Sequence, residues 1–397
     1  MRRVLLLDCD QFFVQCARLS DPEGAGREPL LLVGGSASGR GVVTSASYET
    51  RAFGVRSGMP TASALKLCPH AKVVGVPREF VGQKSHEVRV VLQRFSPVVE
   101  AASVDEAYLD MTGTEDLYHL EPIGITAMRI REAVLAETSI QTSIGGGTSK
   151  LIAKLAVSQA KPAGVHIVEP GGEIAFMGTL ALARIPGIGP VFQEELARYG
   201  LRQVADALAI DERGLSTLLG EGRGRWLFQR VRGIDESRVS ADHDARSISR
   251  DETFPRDLTR TEDLERELLA LTVRLGSDLR GEGLRTRTVT VRLRDTDFRT
   301  RQASRTLQVP IATDKALFET GRELLAKLRR DRNIGARLIG ISASGFTGRD
   351  GVPQLGLFGE EGGAVESERD RRLSRASDDV RARFGADVLK PGRLLEP

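Results

Sequence analysis

The residues in this chain best equipped for chemistry are three acids. Ser103-Val104-Asp105-Glu106-Ala107-Tyr108-Leu109-Asp110 places two adjacent carboxylates between the apolar stretches 98–102 and 107–111. Those stretches read as short strands, with the acids at or beside the bend between them. Adjacent carboxylates beside apolar strands repel each other and lose hydration unless a cation neutralises them. Mg²⁺ takes one or two carboxylates together with substrate phosphates. A third acid lies far upstream, where Arg3-Val4-Leu5-Leu6-Leu7-Asp8-Cys9-Asp10 is a continuous apolar run ending in acid. That is the pattern of a strand buried on both faces. Taken singly, Asp8 is accounted for as a strand terminator and Asp105 and Glu106 as turn residues. Strand ends can also bring the three together, and then they suit metal-assisted chemistry on phosphate.

Groups suited to phosphate occur elsewhere. If Ser47 opens a helix, Tyr48 and Arg51 stand at i and i+3 on one face, offering a phenol beside an always-charged planar fork. Lys161 precedes Pro162 at the expected end of a helix over 151–159, where a lysine also complements the helix dipole. Pro186-Gly187-Ile188-Gly189, between two expected short helices, reads as a helix-hairpin-helix. Its glycines let backbone N–H groups approach a DNA phosphate without reading sequence. Gly145-Gly146-Gly147-Thr148-Ser149-Lys150 misses the Gly-x4-Gly-Lys-Ser/Thr spacing and reads as a tight strand-to-helix turn. Of the two aromatics after Asp10, Phe12 is assigned to the core, while Phe13 stands between a core role and a place at the site.

At 397 residues the chain exceeds what one hydrophobic core supports, so several domains are expected. No apolar run is long enough to span a membrane, and the N-terminal Met-Arg-Arg leads straight into the first strand, so no membrane or secretory segment is expected. Three cysteines without CxxC spacing argue against a disulfide framework and a zinc site and fit a reducing, cytoplasmic location. The formal net charge is only +3, and 48 of the 57 basic residues are Arg, a skew that carries no evidence for nucleic acid by itself.

Helices are expected over 78–94 and 123–138, with loop, strand and loop over 20–41. A polar stretch over 237–245 reads as a linker. Beyond it the elements follow the order β-α-β-β-α-β, the split β-α-β repeat. In its second strand Val289, Val291 and Leu293 alternate with Thr288, Thr290, Arg292 and Arg294, so one face packs and the other meets solvent. Between residues 285 and 305 seven Arg face two Asp, a strip suited to salt-sensitive contacts with a polyanion. Gln354-Leu355-Gly356-Leu357-Phe358 follows the last strand, and a helix is expected over 367–384.

These motifs together resemble the Y-family translesion DNA polymerases, most closely the bacterial DNA polymerase IV branch, over roughly residues 1–358. Ser-Val-Asp-Glu-Ala-Tyr-Leu-Asp is the most specific of them. The resemblance implies a multidomain α+β fold shaped as a right hand. It comprises palm over 1–13 and 77–167, fingers over 14–76, a thumb with the helix-hairpin-helix over 168–236, a linker over 237–245 and a β-α-β-β-α-β little finger over 246–347. A tail over 348–397 follows. It implies two Mg²⁺ held by Asp8, Asp105 and Glu106 with the Cys9 carbonyl as a further ligand. Ser45, Tyr48, Arg51 and Lys161 fall at the triphosphate. Phe13 falls at a steric gate against the ribonucleotide 2′-hydroxyl, and Val42 and Thr44 over the nascent base pair. Gly187, Gly189, Arg292 and Arg294 are the expected DNA contacts. Gln354, Leu355, Leu357 and Phe358 would bind a sliding clamp. Primer-template DNA and dNTPs are the implied partners of a monomeric, cytoplasmic enzyme of low fidelity. Two rivals share these residues: a non-catalytic DNA-binding or polymerase-accessory protein, and a metal-dependent nuclease.

Overall fold

The structure is a computed structural model, and it describes residues 2–241, 245–347, 366–385 and 388–394. It divides into two compact units, residues 1–243 and 244–397. The first unit carries β1 (Val4–Cys9), α1 (Phe12–Ser20), β2 (Leu31–Gly34), β3 (Val43–Ala46), α2 (Tyr48–Arg51), α3 (Thr61–Leu67), β4 (Lys72–Val74), α4 (Arg78–Leu92), β5 (Val98–Ala101), β6 (Glu106–Asp110), α5 (Ile123–Thr138), β7 (Thr142–Gly147), α6 (Lys150–Ala160) and β8 (Val165–Ile167). A helical part follows, α7 (Glu173–Gly178), α8 (Pro190–Arg198), α9 (Val204–Leu208), α10 (Glu212–Leu219) and α11 (Glu221–Val231). The second unit runs β9 (Ser247–Leu258), α12 (Thr261–Gly281), β10 (Arg285–Asp295), β11 (Thr300–Ile311), α13 (Asp314–Asp331), β12 (Ala336–Thr347) and α14 (Glu368–Phe384).

β1 is buried at all six positions because helices cover both faces of its sheet, whose order is β5-β6-β1-β7-β8. Leu5 and Leu7 pack with Val88 and Leu92 of α4 and Ile130 and Val134 of α5. Val4 and Leu6 face Ala153 and Val157 of α6 on the other side. A second sheet, β3-β2-β4, packs against α1 and α3 through Leu31, Val33, Leu32 and Ala64. The polar stretch after α11 is less loose than its composition implies. Val239 is buried with Val4 and Leu6, and the Ser240 N–H donates to Glu100 at 2.9 Å.

The hairpin at Gly187 differs from the sequence reading on its upstream side. The expected first helix is a single 3₁₀ turn, Leu182–Arg184, and only α8 is a full helix. Gly187 has φ 99°, and a Cβ there would come within 2.9 Å of the Trp226 ring, so the position requires glycine twice over.

In the second unit all neighbouring strands are antiparallel, in the order β11-β10-β12-β9. α12 and α13 cover one face through Leu268, Leu275, Leu317 and Leu325, packed on Val289, Val291 and Leu293 as the alternation in β10 predicts. The other face is rich in hydroxyls: Thr288, Thr290, Arg292 and Arg294 lie opposite Thr306, Ser304, Gln302 and Thr300 of β11. The arginine strip is thinner on this face than a count along the sequence gives. Arg301 is bound to buried Asp295 at 2.9 Å, Arg285 reaches Glu366 at 2.9 Å, and Arg305 pairs with Glu323. Arg287 turns to the Leu307 and Gln308 carbonyls. Arg292 stays exposed, 3.7 Å from Asp251, and Arg294 donates to the Thr300 hydroxyl at 2.9 Å. α14 forms over the expected residues, opened by a reciprocal cap between Ser367 and Asp370. Gln354, Leu355, Leu357 and Phe358 lie outside the described residues.

The three glycines of β7 overturn the expectation of a turn. Gly145, Gly146 and Gly147 lie within the strand, and the turn is Thr148-Ser149. Gly146 is hemmed in from the other face, where a Cβ would meet Leu5 and Ile167. Gly145 and Gly147 are glycines because α6 lies directly on the strand: a Cβ at Gly145 would fall 2.2 Å from the Val157 nitrogen and 2.3 Å from the Ala153 carbonyl oxygen. Because both obstructions are backbone, no side-chain rotation relieves them. Gly145→Ala is therefore expected to destabilise the first unit by about 3 kcal/mol. Denaturant unfolding followed by Trp226, the one tryptophan of the chain, measures this; an unchanged midpoint would show that α6 can move off the sheet at little cost.

Candidate active site

Antiparallel pairing of β1 with β6 sets Asp8 opposite Glu106. Asp105 stands one residue earlier, where its carbonyl accepts the Cys9 N–H at 2.9 Å and closes the end of the ladder. Ser103 organises the turn: its hydroxyl binds the Asp105 carboxylate and accepts the Glu106 N–H at 3.1 Å. The three expected acids thus converge at one end of the central strand pair. Asp8 is 6% exposed, and burial pushes its carboxyl up to about 6, with neighbouring Glu106 adding to the rise and Lys161 opposing it.

Ammonium groups neutralise this charge. Lys161 Nζ lies 2.6 Å from Asp8 Oδ1, and Lys154 of α6 pairs with Glu106. Among the described residues no three Asp, Glu, His or Cys side chains close to a metal-holding group. The donors themselves are all carboxylate oxygens, the hard set that Mg²⁺ and similar cations take, and two lysines stand on the charge that such a cation would neutralise.

Asp10 organises the surroundings and was not recognised from sequence. It is 1% exposed and accepts from the Tyr48 hydroxyl at 3.0 Å, the Ser143 hydroxyl at 3.0 Å to each oxygen, and the Ala163 N–H at 2.8 Å. One carboxylate therefore ties α2, β7 and the segment carrying Lys161 to the end of β1. Gln11 adds a second tie by accepting the Tyr48 N–H at 3.0 Å, from a left-handed backbone position of φ 41°. Burial, followed by the charge of Asp10, pushes the Tyr48 phenol well up, so it remains a donor. Ser47 caps α2 as expected, and the Arg51 guanidinium lies 4.9 Å from the Tyr48 ring centroid, with Nε on the Ala46 carbonyl at 2.9 Å.

The remaining expected residues are placed as follows. Ser45 is 4% exposed in β3, opposite Val33. Thr44 is half-buried and Val42 exposed. Phe12 is core; Phe13 is half-buried, edge-on to Phe12 at 5.9 Å, and packed against both the central and the β2 cores. Gly187 borders a groove of about 410 Å³ shared with Lys150, Lys154, Trp226 and Arg230. Gly189 is the residue before α8. Arg292 and Arg294 belong to the second unit.

The chain matches the impB/mucB/samB family over residues 7–158 and the C-terminal domain of that family over 245–357. It is 34% identical to a DNA polymerase IV of Caulobacter vibrioides over 98% of this chain and 93% of that protein. It is equally similar to one from Dehalococcoides mccartyi, over 100% of this chain and 98% of that one. The chain belongs to the Y-family of DNA polymerases, in the DNA polymerase IV branch. A Y-family DNA polymerase chimera shares the fold with a TM-score of 0.77 at 22% identity, covering 86% of this chain and 98% of that one.

In this Y-family chain the signal for Asp10 was present as the Asp8-x-Asp10 spacing, but spacing alone does not say that the second acid faces inward. Asp10→Asn keeps the shape while placing an amide donor among three donors. It is expected to raise KM for the incoming nucleotide about tenfold, the loss of roughly one charged hydrogen bond, while kcat and DNA affinity change little. Steady-state kinetics separate these quantities, and an unaltered KM would leave Asp10 a purely structural residue.

Proposed function

We propose that the chain is a template-directed DNA polymerase that adds deoxynucleotides to a primer 3′ end and copies damaged templates. The observation that carries this is the juxtaposition of Asp8, Asp105 and Glu106 with Tyr48, Arg51 and Lys161, from elements spread over the first unit but tied together through Asp10. Carboxylates alone suit many metal enzymes. Carboxylates beside an arginine, a phenol donor and a lysine suit a triphosphate transferred in their presence.

Asp8, Asp105, Glu106 and the Cys9 carbonyl would hold divalent cations, which we assign as two Mg²⁺. When bound, these supply a lowered pKa for the primer hydroxyl and neutralisation of the leaving pyrophosphate. The Tyr48 hydroxyl exchanges Asp10 for a phosphate oxygen, Arg51 grips another, and Lys161 exchanges Asp8 for the triphosphate. Ser45 borders the same place. Phe13 stands under the sugar as the barrier to a 2′-hydroxyl, and Val42 and Thr44 lie over the base pair.

Assigned by the family's plan, β1 and the sheet around β6 form the palm, the β2 sheet the fingers, the helices after β8 the thumb and the second unit the little finger. The turn at Gly187 and Gly189 with the start of α8 offers N–H groups to the DNA backbone. The hydroxyl-rich face of the second unit, with Arg292 and Arg294, offers further contacts that carry no sequence preference. Residues 354–358 are assigned to a sliding clamp.

The test is primer extension by the purified chain with Mg²⁺ and the four dNTPs. Asp105→Ala or Glu106→Ala is expected to lower extension by at least about a thousandfold, and Asp105→Ala to leave primer-template affinity measured without divalent cations within about twofold, because a cation ligand rather than a DNA contact is lost. Extension by either variant at the original rate would overturn the site. Release of nucleotides without dNTPs would indicate a nuclease instead, and DNA binding without extension an accessory protein.

Phe13→Ala opens the space under the sugar. It is expected to reduce discrimination against ribonucleotides by at least about a hundredfold, since exclusion there is steric. Incorporation assays with matched dNTP and rNTP pairs measure the ratio; an unchanged ratio would assign Phe13 to the core alone.

A further inference from the structure

Lysine is scarce in this chain, nine of the 57 basic side chains, yet three of the nine, Lys150, Lys154 and Lys161, fall within twelve residues. Positions i, i+4 and i+11 lie on one stripe of a helix. The stripe begins on α6, Lys161 following immediately after it, and each ammonium meets an acid of the central sheet: Lys150 on Glu100, Lys154 on Glu106 and Lys161 on Asp8.

The three pairs are not equivalent. Glu100 is 4% exposed and also holds the Ser240 N–H, while Lys150 lies 4.6 Å from the Tyr108 ring centroid, so that pair is built into the fold. The side chains of Lys154 and Glu106 remain 34% and 22% exposed. Lys154 also borders the groove of about 410 Å³ in which Gly187, Trp226 and Arg230 lie. It can therefore turn from the carboxylate toward the groove without leaving its helix.

The choice of lysine matters chemically. An arginine here would fork onto both oxygens of Glu106 and hold them in a planar pair. An ammonium makes a point contact that a divalent cation can displace. A chain in which Arg outnumbers Lys 48 to 9 carries the displaceable group at this position.

We propose that Lys154 is a placeholder cation for Glu106 and a positioning residue for the primer. Without metal its ammonium neutralises Glu106 at the head of β6. Once the carboxylate ligates a divalent cation, Lys154 turns into the groove and binds a phosphodiester oxygen near the primer end. This rests on the polymerase reading and adds to it a coupling: cation and primer each favour the exchange that the other uses, so each tightens the other.

The test uses the full chain and Mn²⁺ alone, followed by electron paramagnetic resonance without DNA or nucleotide. Lys154→Met removes the competitor and is expected to bind Mn²⁺ about fivefold more tightly, the scale of a partly exposed ion pair. Lys154→Arg keeps the competitor in a firmer grip and is expected to bind no more tightly than the unaltered chain. In a second measurement, Ca²⁺ is expected to strengthen primer-template binding by the unaltered chain severalfold more than binding by Lys154→Met. Equal Mn²⁺ affinity of Lys154→Met and the unaltered chain, or equal strengthening by Ca²⁺, would overturn the proposal. Asp105→Ala is the control that distinguishes the two failures. If it binds Mn²⁺ as well as the unaltered chain, the metal site itself is wrong. If it is defective while Lys154→Met is unchanged, only the role of Lys154 is wrong.

Discussion

A carboxylate withdrawn from water at the end of a buried strand has to be compensated, and much of the first unit follows from that need at Asp8. Its strand is covered on both faces, so the charge cannot be hydrated from either side. Glu106, fixed opposite by register, doubles the problem. Moving either acid by one residue would turn it to the opposite face of the sheet, so strand pairing itself specifies the site. Cations supplied from α6 and its C-terminal end answer the charge with the protein's own groups. On the proposed reading, groups held at that cost are reassigned when a cation or a triphosphate offers better partners.

The close seat of α6 on the sheet is what makes this compensation possible. Lysine reaches its acids here because Gly145 and Gly147 remove the layer of side chains that normally separates a helix from a strand. Asp235 and Ser149 then pin the start of the helix by accepting the Leu151 N–H at 3.1 Å and the Ile152 N–H at 3.2 Å. Asp235 comes from beyond α11, so the segment leaving the helical part also fixes the helix that serves the site. Two glycines, two caps and a row of lysines form one device.

The sequence revealed elements with strong periodicity and missed relations between them. The apolar run before Asp8, the alternation in β10 and the order of elements in the second unit were legible, because burial on two faces, one face or one helical stripe leaves its own repeat. The glycines of β7 were read as a turn, because close packing within a sheet and against a helix and a tight bend select the same residue. Asp10 was passed over since its three partners come from residues 48, 143 and 163 and nothing local announces them. The arginine strip was overcounted for a related reason: Arg301 and Arg285 satisfy buried acids, Asp295 and Glu366, whose needs are set by packing. Residue type showed which groups could do chemistry, whereas partners decided which of them were free to do it.

The two units offer candidate binding groups of physically different kinds. In the first, the candidate groups are few, charged and partly buried, so each contact is strong and sensitive to geometry. In the second, the open face of the sheet offers hydroxyls from Thr288, Thr290, Ser304 and Thr306 in hydrogen-bonded cross-strand pairs, with Arg292 and Arg294 at one end. Hydroxyls both donate and accept, and they can turn to suit a phosphate or a water without imposing a register. As the DNA surface proposed above, such a face would tolerate irregular DNA, because no single contact there is strict. On the proposed reading, a site in one unit that demands exact phosphate geometry and a face in the other that demands little of the duplex suit an enzyme whose templates are not uniform.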